Sequence, residues 1–260
     1  MNERDLVFSW VEEFVTEYPK AHSVRTHWRK PIVGIADAKD PLYAELKTII
    51  SPSHAMPEDL IAGAKSVIAV FVPFEESVGK SNTGGGEVSK EWDYAYIETN
   101  EMLNSLAAYM YEKITAAGHQ ATNLPATYNY DEERLISDWS HRSSAYIAGI
   151  GKFGINNMMI TEQGSCGRYT SIVTDWELEP TKRSEEEFCL YKINRSCKKC
   201  IEQCPVGAFS IAEDGEVVYN RFACNAHLYE GVHEEKMEGS ETCGKCMVGL
   251  PCSYKKPRRD

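Results

Sequence analysis

At 260 residues, with a formal charge of −11, 42% hydrophobic and 26% charged residues, the chain can bury one large domain, or a large domain with a small appendage. This composition excludes a disordered or fibrous protein, and the acidic balance makes nucleic acid a disfavoured partner, because a polyanion would be repelled. No run approaches the roughly 18 apolar residues of a membrane span, and MNERDLVFSW shows neither a basic leader with an apolar run nor a twin-arginine pair, so a cytoplasmic protein without membrane contact is expected.

Leu6, Trp10 and Phe14, flanked by Val7, Val11 and Val15, make a helical stripe over 5–18 that Pro19 should close. A short strand is expected at Ile32–Ile35. Asp40-Pro41 then reads as the cap and first turn of a helix reaching Ile50. SVIAVFV, Ser66–Val72, is β-branched and apolar, the pattern of a buried central strand ending at Pro73. Residues 75–90 are polar and hold Gly84, Gly85 and Gly86, which predicts a loop with the freedom to act as a lid. A long helix should run from Asp93 to Ala117, with Leu103, Leu106, Met110 and Ile114 on one face and Gly118 as its stop. A second is expected from Glu132 to Ala148. Asn157–Thr161 and Arg168–Thr174 should then form a hairpin about Gln163–Gly164. Strands and helices interleave without a regular βα repeat, so residues 1–180 are expected to form an α+β fold, a mixed α/β sandwich.

Cysteines carry the strongest chemical signal. Eight of the nine lie between Cys189 and Cys252, a segment poor in large apolar residues, which points to inorganic staples and to a boundary near residue 180, with a second domain over 181–260. Cys197, Cys200 and Cys204 before Pro205 spell C-x2-C-x3-C-P. In two-cluster ferredoxins the cysteine before the proline serves the other cluster. The usual first cysteine is here Asn194, and Cys189 is the substitute. Crossed ligation assigns Cys189, Cys197, Cys200 and Cys252 to one 4Fe–4S cluster, and Cys204, Cys224, Cys243 and Cys246 to the other. Two four-thiolate zinc sites are the alternative. The leftover Cys166 reads as a buried thiol or as a neighbour of a cofactor.

HRSSAYIAGIGKFGINNMMITEQGSCGRYTSIVTD, residues 141–175, followed by these cysteines, resembles the epoxyqueuosine reductase family and its short relatives, which are related to reductive dehalogenases. The resemblance implies a nitroreductase-like domain holding a corrinoid (cobalamin), fed by two 4Fe–4S clusters in a ferredoxin-like domain. Carried over residue by residue, the block gives Arg142, Ala148, Gly149, Gly151, Gly154, Asn156, Ile160, Gly164, Ser165 and Thr174, with Asn157 and Cys166 beside them, as cofactor contacts. The glycines would let backbone approach a flat macrocycle. The family's Asp-Tyr-His signature survives only as Asp93-Tyr94-Ala95, and its proton-donor segment upstream of His141 has no clear counterpart, which weakens tRNA as a substrate.

The implied activity is reduction of a small molecule by low-potential electrons from a ferredoxin- or flavodoxin-type donor, with Asp93, Tyr94 and His141 as candidate acids. A corrinoid-binding electron-transfer protein that reactivates another corrinoid protein is the second reading. Flavin mononucleotide in place of the corrinoid is the third.

Overall fold

The structure, a computed structural model, describes residues 2–84, 86–126, 128–230, 237 and 239–258. Gly85, in the expected loop, lies outside them. Helix α1 (Glu3–Ala21) starts at Asn2, whose side chain accepts from the Asp5 amide at 2.8 Å. It runs through Pro19 to Ala21, two residues beyond the expected stop, since a proline in the last turn costs only a bond that end fraying already weakens.

Strand β1 (Ile32–Asp37), helix α2 (Leu42–Ile49), the short helix α3 (Pro57–Leu60) and strand β2 (Ser66–Pro73) follow. Every residue of β2 is buried. It is the middle strand of an antiparallel sheet ordered β1-β2-β7, where β7 is Gly167–Thr174. Because side chains alternate along a strand, Val67, Ala69 and Phe71 enter one core and Ile68, Val70 and Val72 the other. On the second face lie α1, through Val7, Val11 and Val15, and α5 (Lys90–Ala116), through Met102, Leu106, Met110 and Ile114. On the first lie α2 and α6 (His141–Ile147), with Tyr43, Trp139, Ala145 and Ile147. The result is a layered mixture of helix and sheet. Full burial of each of the larger of these side chains contributes about 2 kcal/mol.

The expected helix over 132–148 is replaced by a hairpin of β3 (Tyr128–Asp131) and β4 (Ile136–Trp139), and only α6 remains helical. Asp131 Oδ1 accepts from the amides of Glu133 and Arg134, and Leu135 takes a φ of 52°. This side-chain turn outcompetes the helix propensity of Glu133 and Arg134. The expected hairpin of 157–161 with 168–174 is also absent. Strand β6 (Met159–Thr161) pairs instead with β5 (Gly151–Phe153), while β7 serves as the second neighbour that buried β2 requires. Part of the polar segment 75–90 is helix α4 (Glu76–Ser81). Beyond β7 come α7 (Leu190–Asn194), α8 (Lys199–Glu202), the ribbon β8 (Phe209–Ile211) with β9 (Val217–Tyr219), and α9 (Arg221–Glu230). No helix among the described residues is long and apolar enough to cross a membrane.

A Cβ at Gly34 in β1 would collide with the Ala148 carbonyl oxygen at the end of α6. Gly34→Ala should therefore cost about 1–3 kcal/mol and lower the thermal midpoint by several degrees, and an unchanged midpoint would show that this contact relaxes freely.

Candidate metal and cofactor site

All nine cysteines are free thiols. Cys189, Cys197, Cys200 and Cys252 line one small cleft together with Ile155, Ile160 and Leu250. Burial, with Cys189 and Cys197 next in weight, pushes the Cys200 thiol up to about 12. Burial and then Cys200, Cys189 and Cys197 do the same for Cys252. A second neighbourhood forms around Cys246, whose thiol is raised by burial and then by Cys243, Cys224 and Cys204. Cys243 is likewise raised by burial, with Cys224 and Cys204 among its neighbours. Among the described residues, no group of His, Cys, Asp or Glu is suited to a single metal ion.

Bringing Cys243, Cys246 and Cys252 back to the earlier cysteines requires residues 240–254 to pack against the sheet domain, and the block singled out in the sequence provides the seat. Asn156, itself lining the first cavity, donates Nδ2 to the Cys246 carbonyl at 2.6 Å. The Ser165 amide donates to the Cys252 carbonyl at 2.9 Å, and the Cys166 amide to that of Ser253 at 3.0 Å. The Cys166 thiol, fully buried and held protonated by burial, donates to the Met247 carbonyl at 3.2 Å. Asn82 Nδ2 donates to the Cys243 carbonyl at 2.8 Å, and buried Lys245 donates to the Glu87 carbonyl at 2.8 Å, so part of the expected lid is pinned to the cysteine segment.

The same packing uses the glycines expected to face a macrocycle. A Cβ at Gly149 would press on the Lys182 carbonyl, at Gly151 on that of Ile160, at Gly154 on the Asn156 side chain and at Gly164 on Ser253. Gly164, at a φ of 85°, allows this approach where other residues would be strained. Ile160 lines the first cavity, Ala148 is buried behind Gly34, and Asn157 is an exposed turn residue with a φ of 58°. Thr174 donates its hydroxyl to the Gln120 carbonyl at the end of β7. Ser165 Oγ is buried without a hydrogen-bond partner.

The three candidate acids have separate surroundings. Asp93 is buried and accepts from the Ser240 hydroxyl at 2.5 Å. Tyr94 lies under the Arg25 guanidinium, 4.2 Å from its ring centre. His141 is buried with Nδ1 2.8 Å from the Ser171 hydroxyl and Nε2 2.9 Å from the Pro125 carbonyl. The carbonyl can only accept, so Nε2 carries the proton and Nδ1 accepts from Ser171, which in turn accepts from the Trp139 indole at 2.9 Å. Both ring nitrogens are thus engaged within the core.

Sequence reasoning passed over Arg168. It lies 4.3 Å over the ring of Tyr96 and near Arg142, whose Nη1 donates to the Met158 sulfur at 3.2 Å. Arg142 in turn has Tyr169, Tyr219 and Cys246 as electrostatic neighbours. The available signal was a lone arginine inside a strand of otherwise buried pattern.

No protein-family profile matches the chain. A tetrachloroethene reductive dehalogenase of Desulfitobacterium hafniense is 37% identical over 113 residues, which is 41% of this chain and 19% of that protein. The matched part thus spans about a fifth of the length of the curated relatives. The solved structure of a catabolic reductive dehalogenase superposes with a TM-score of 0.59 at 18% identity, covering 87% of this chain and 30% of that one. An epoxyqueuosine reductase solved with a tRNA-Tyr stem loop superposes with a TM-score of 0.53 at 21% identity, covering 97% and 68%. The fold is that shared by epoxyqueuosine reductases and reductive dehalogenases. The resemblance read from residues 141–175 and the cysteines therefore holds, and the homologous relationships are to reductases.

His141 and His54 are both held below the usual imidazole value, by burial in each case. They stay neutral when folded but take up protons when unfolded below about pH 6.5. Their stabilisation is therefore complete above that pH and is lost as the pH falls toward their folded values. His141→Gln should destabilise the chain by about 1–3 kcal/mol near neutrality, with the gap in thermal midpoint to wild type narrowing on acidification. A gap that stays constant with pH would show that His141 does not contribute as a buried neutral ring.

Proposed function

We propose that the chain is a corrinoid-dependent iron–sulfur reductase of a small molecule. In this reading residues 1–180 form a nitroreductase-like corrinoid-binding domain and residues 181–260 a ferredoxin-like one. One 4Fe–4S cluster is held by Cys189, Cys197, Cys200 and Cys252, the other by Cys204, Cys224, Cys243 and Cys246. Electrons come from a low-potential donor of ferredoxin or flavodoxin type. The protein works in the cytoplasm, where thiols are kept reduced.

The observation that carries the reading is the gathering of four thiols around one small cleft, with a second thiol neighbourhood beside it. The donor set fits iron–sulfur clusters. A tetrahedral zinc would draw four thiolates to within about 2.3 Å of one ion, so metal and sulfide analysis separates the two readings. Because the thiols are pushed up by burial, cluster assembly must release their protons. Ile155, Ile160 and Leu250 set apolar side chains beside the first set, and Asn156 ties its wall to the Cys246 backbone.

For a corrinoid the fit lies away from the glycines, which the chain's own packing fills. It lies where Arg142, Arg168, Tyr96 and Tyr169 remain part-exposed near Cys246. A bound corrinoid would supply a strongly reducing, nucleophilic metal centre. Tyr96 and Tyr169 provide aromatic faces there, and Arg142 offers positive charge toward the second thiol set. With both nitrogens of His141 committed to the core, a proton would have to come from a group nearer this recess.

Anaerobic purification with iron, sulfide and cobalt analysis tests the reading. About eight irons per chain and a corrinoid spectrum in the released cofactor are expected, and a flavin spectrum would replace the corrinoid by flavin mononucleotide. Cys200→Ser and Cys246→Ser should each lose about half the iron, and full iron in either variant would overturn the assignment of that thiol.

A further inference from the structure

Lys245 stands between two of the proposed cluster ligands, Cys243 and Cys246, and is only 5% exposed. Lysine is seldom buried without an acid beside it, because an ammonium loses its hydration there. Yet Lys245 forms no ion pair among the described residues. Its Nζ donates to two backbone carbonyls, that of Glu87 at 2.8 Å and that of Asn82 at 3.2 Å. Carbonyl dipoles orient a cation without cancelling its charge, so the counter-charge has to come from another neighbour.

The loop that carries the ammonium is gripped from both sides. Asn82 donates Nδ2 to the Cys243 carbonyl at 2.8 Å, and its Oδ1 accepts from the Ser89 amide at 3.2 Å, so the segment supplying the carbonyls is itself tied down. The Trp92 indole donates to the Thr242 hydroxyl at 3.0 Å and occupies the space over Gly244, which takes a φ of 68°. Gln203 donates to the carbonyls of Lys245 and Val248. A contact thus falls on every residue from Thr242 to Lys245.

This grip places a charge beside one thiol set. Lys245 and Cys243 are electrostatic neighbours, and Cys243 has Cys204 and Cys224 in common with Cys246. Protonated thiols give an ammonium nothing to neutralise. Four thiolates around a 4Fe–4S core carry net negative charge, which grows by one when the core takes an electron, with no bond made or broken. In the first set, the groups that weigh on Cys200 and Cys252 are thiols and backbone donors, with no cation among them. A buried cation next to one cluster favours the reduced form of that cluster.

We infer that Lys245 is a positioning residue for electron transfer: held by the carbonyls of Asn82 and Glu87, it is the fixed counter-charge of the cluster on Cys204, Cys224, Cys243 and Cys246, and raises the potential of that cluster. The inference rests on the two-cluster reading. The electron comes from the ferredoxin- or flavodoxin-type donor, and the bias draws it from the first set toward the second.

A redox titration of the anaerobically purified, intact chain, followed by electron paramagnetic resonance, tests this. The second cluster is the signal that Cys246→Ser removes. Lys245→Gln keeps amide donors for the two carbonyls but not the charge. At a fixed potential it should lower the reduced-to-oxidised ratio of the second cluster about tenfold, a shift of about 59 mV, and leave the first cluster unmoved. Lys245→Arg should restore the wild-type value. Unmoved potentials in Lys245→Gln, an equal shift of both clusters, or the same shift in Lys245→Arg overturns the inference. Where Lys245→Gln lacks the iron of the second cluster, Lys245→Met and Lys245→Arg decide: a cluster kept by Arg and lost with Met supports the counter-charge, and equal loss in both overturns it. Iron and sulfide are counted first, so a wild-type chain without two clusters overturns the cluster reading too, whereas two clusters indifferent to Lys245→Gln overturn this inference alone.

Discussion

The structure depends on one packing constraint, the return of residues 240–254 onto the block 154–166. Asn156, Ser165 and Cys166 hold the carbonyls of Cys246, Cys252, Ser253 and Met247, and Arg29 adds bonds to the carbonyls of Tyr254, Gln163 and Phe74. Buried carbonyls left without donors would each cost about 1–3 kcal/mol, so this seam fixes where the last three cysteines lie. Without it, Cys252 would not share a cavity with Cys189, Cys197 and Cys200.

The seam also explains the division of labour between the layers. The sheet β1-β2-β7 is apolar on both faces and is clamped by helices, so it forms a rigid platform. The cysteine segment packs at the start of β7. Cys166, just before β7, meets the cysteine segment, and Arg168 and Tyr169 follow it along the strand near Arg142. His141 contributes from within the platform, as part of the Trp139–Ser171–Pro125 network.

Periodic elements were legible in the sequence. The valine stripe of α1, the Leu103–Ile114 face of α5 and the uniformly apolar β2 each announce their partner surface, because burial dictates their pattern. What escaped was set by single local contacts or by distant pairing. Asp131 turns a helix-like stretch into a hairpin, and β7 pairs with a strand about one hundred residues earlier, which periodicity does not encode. The spacing of the cysteines was visible, and the glycines of 141–175 read as a cofactor floor, whereas Lys182, Ile160, Asn156 and Ser253 lie where their Cβ atoms would be. Arg168 was hidden because the sequence cannot show which side chains surround a charged residue in a strand, here Tyr96 and Arg142.

The account stands on two clusters held by two crossed sets of thiols. Native mass spectrometry of the anaerobically prepared, intact chain reads this directly. The account predicts a species heavier than the bare polypeptide by two four-iron, four-sulfide clusters, with single-cluster species only in variants of the ligand cysteines. A chain carrying two zinc ions, or one without inorganic sulfide, would contradict it.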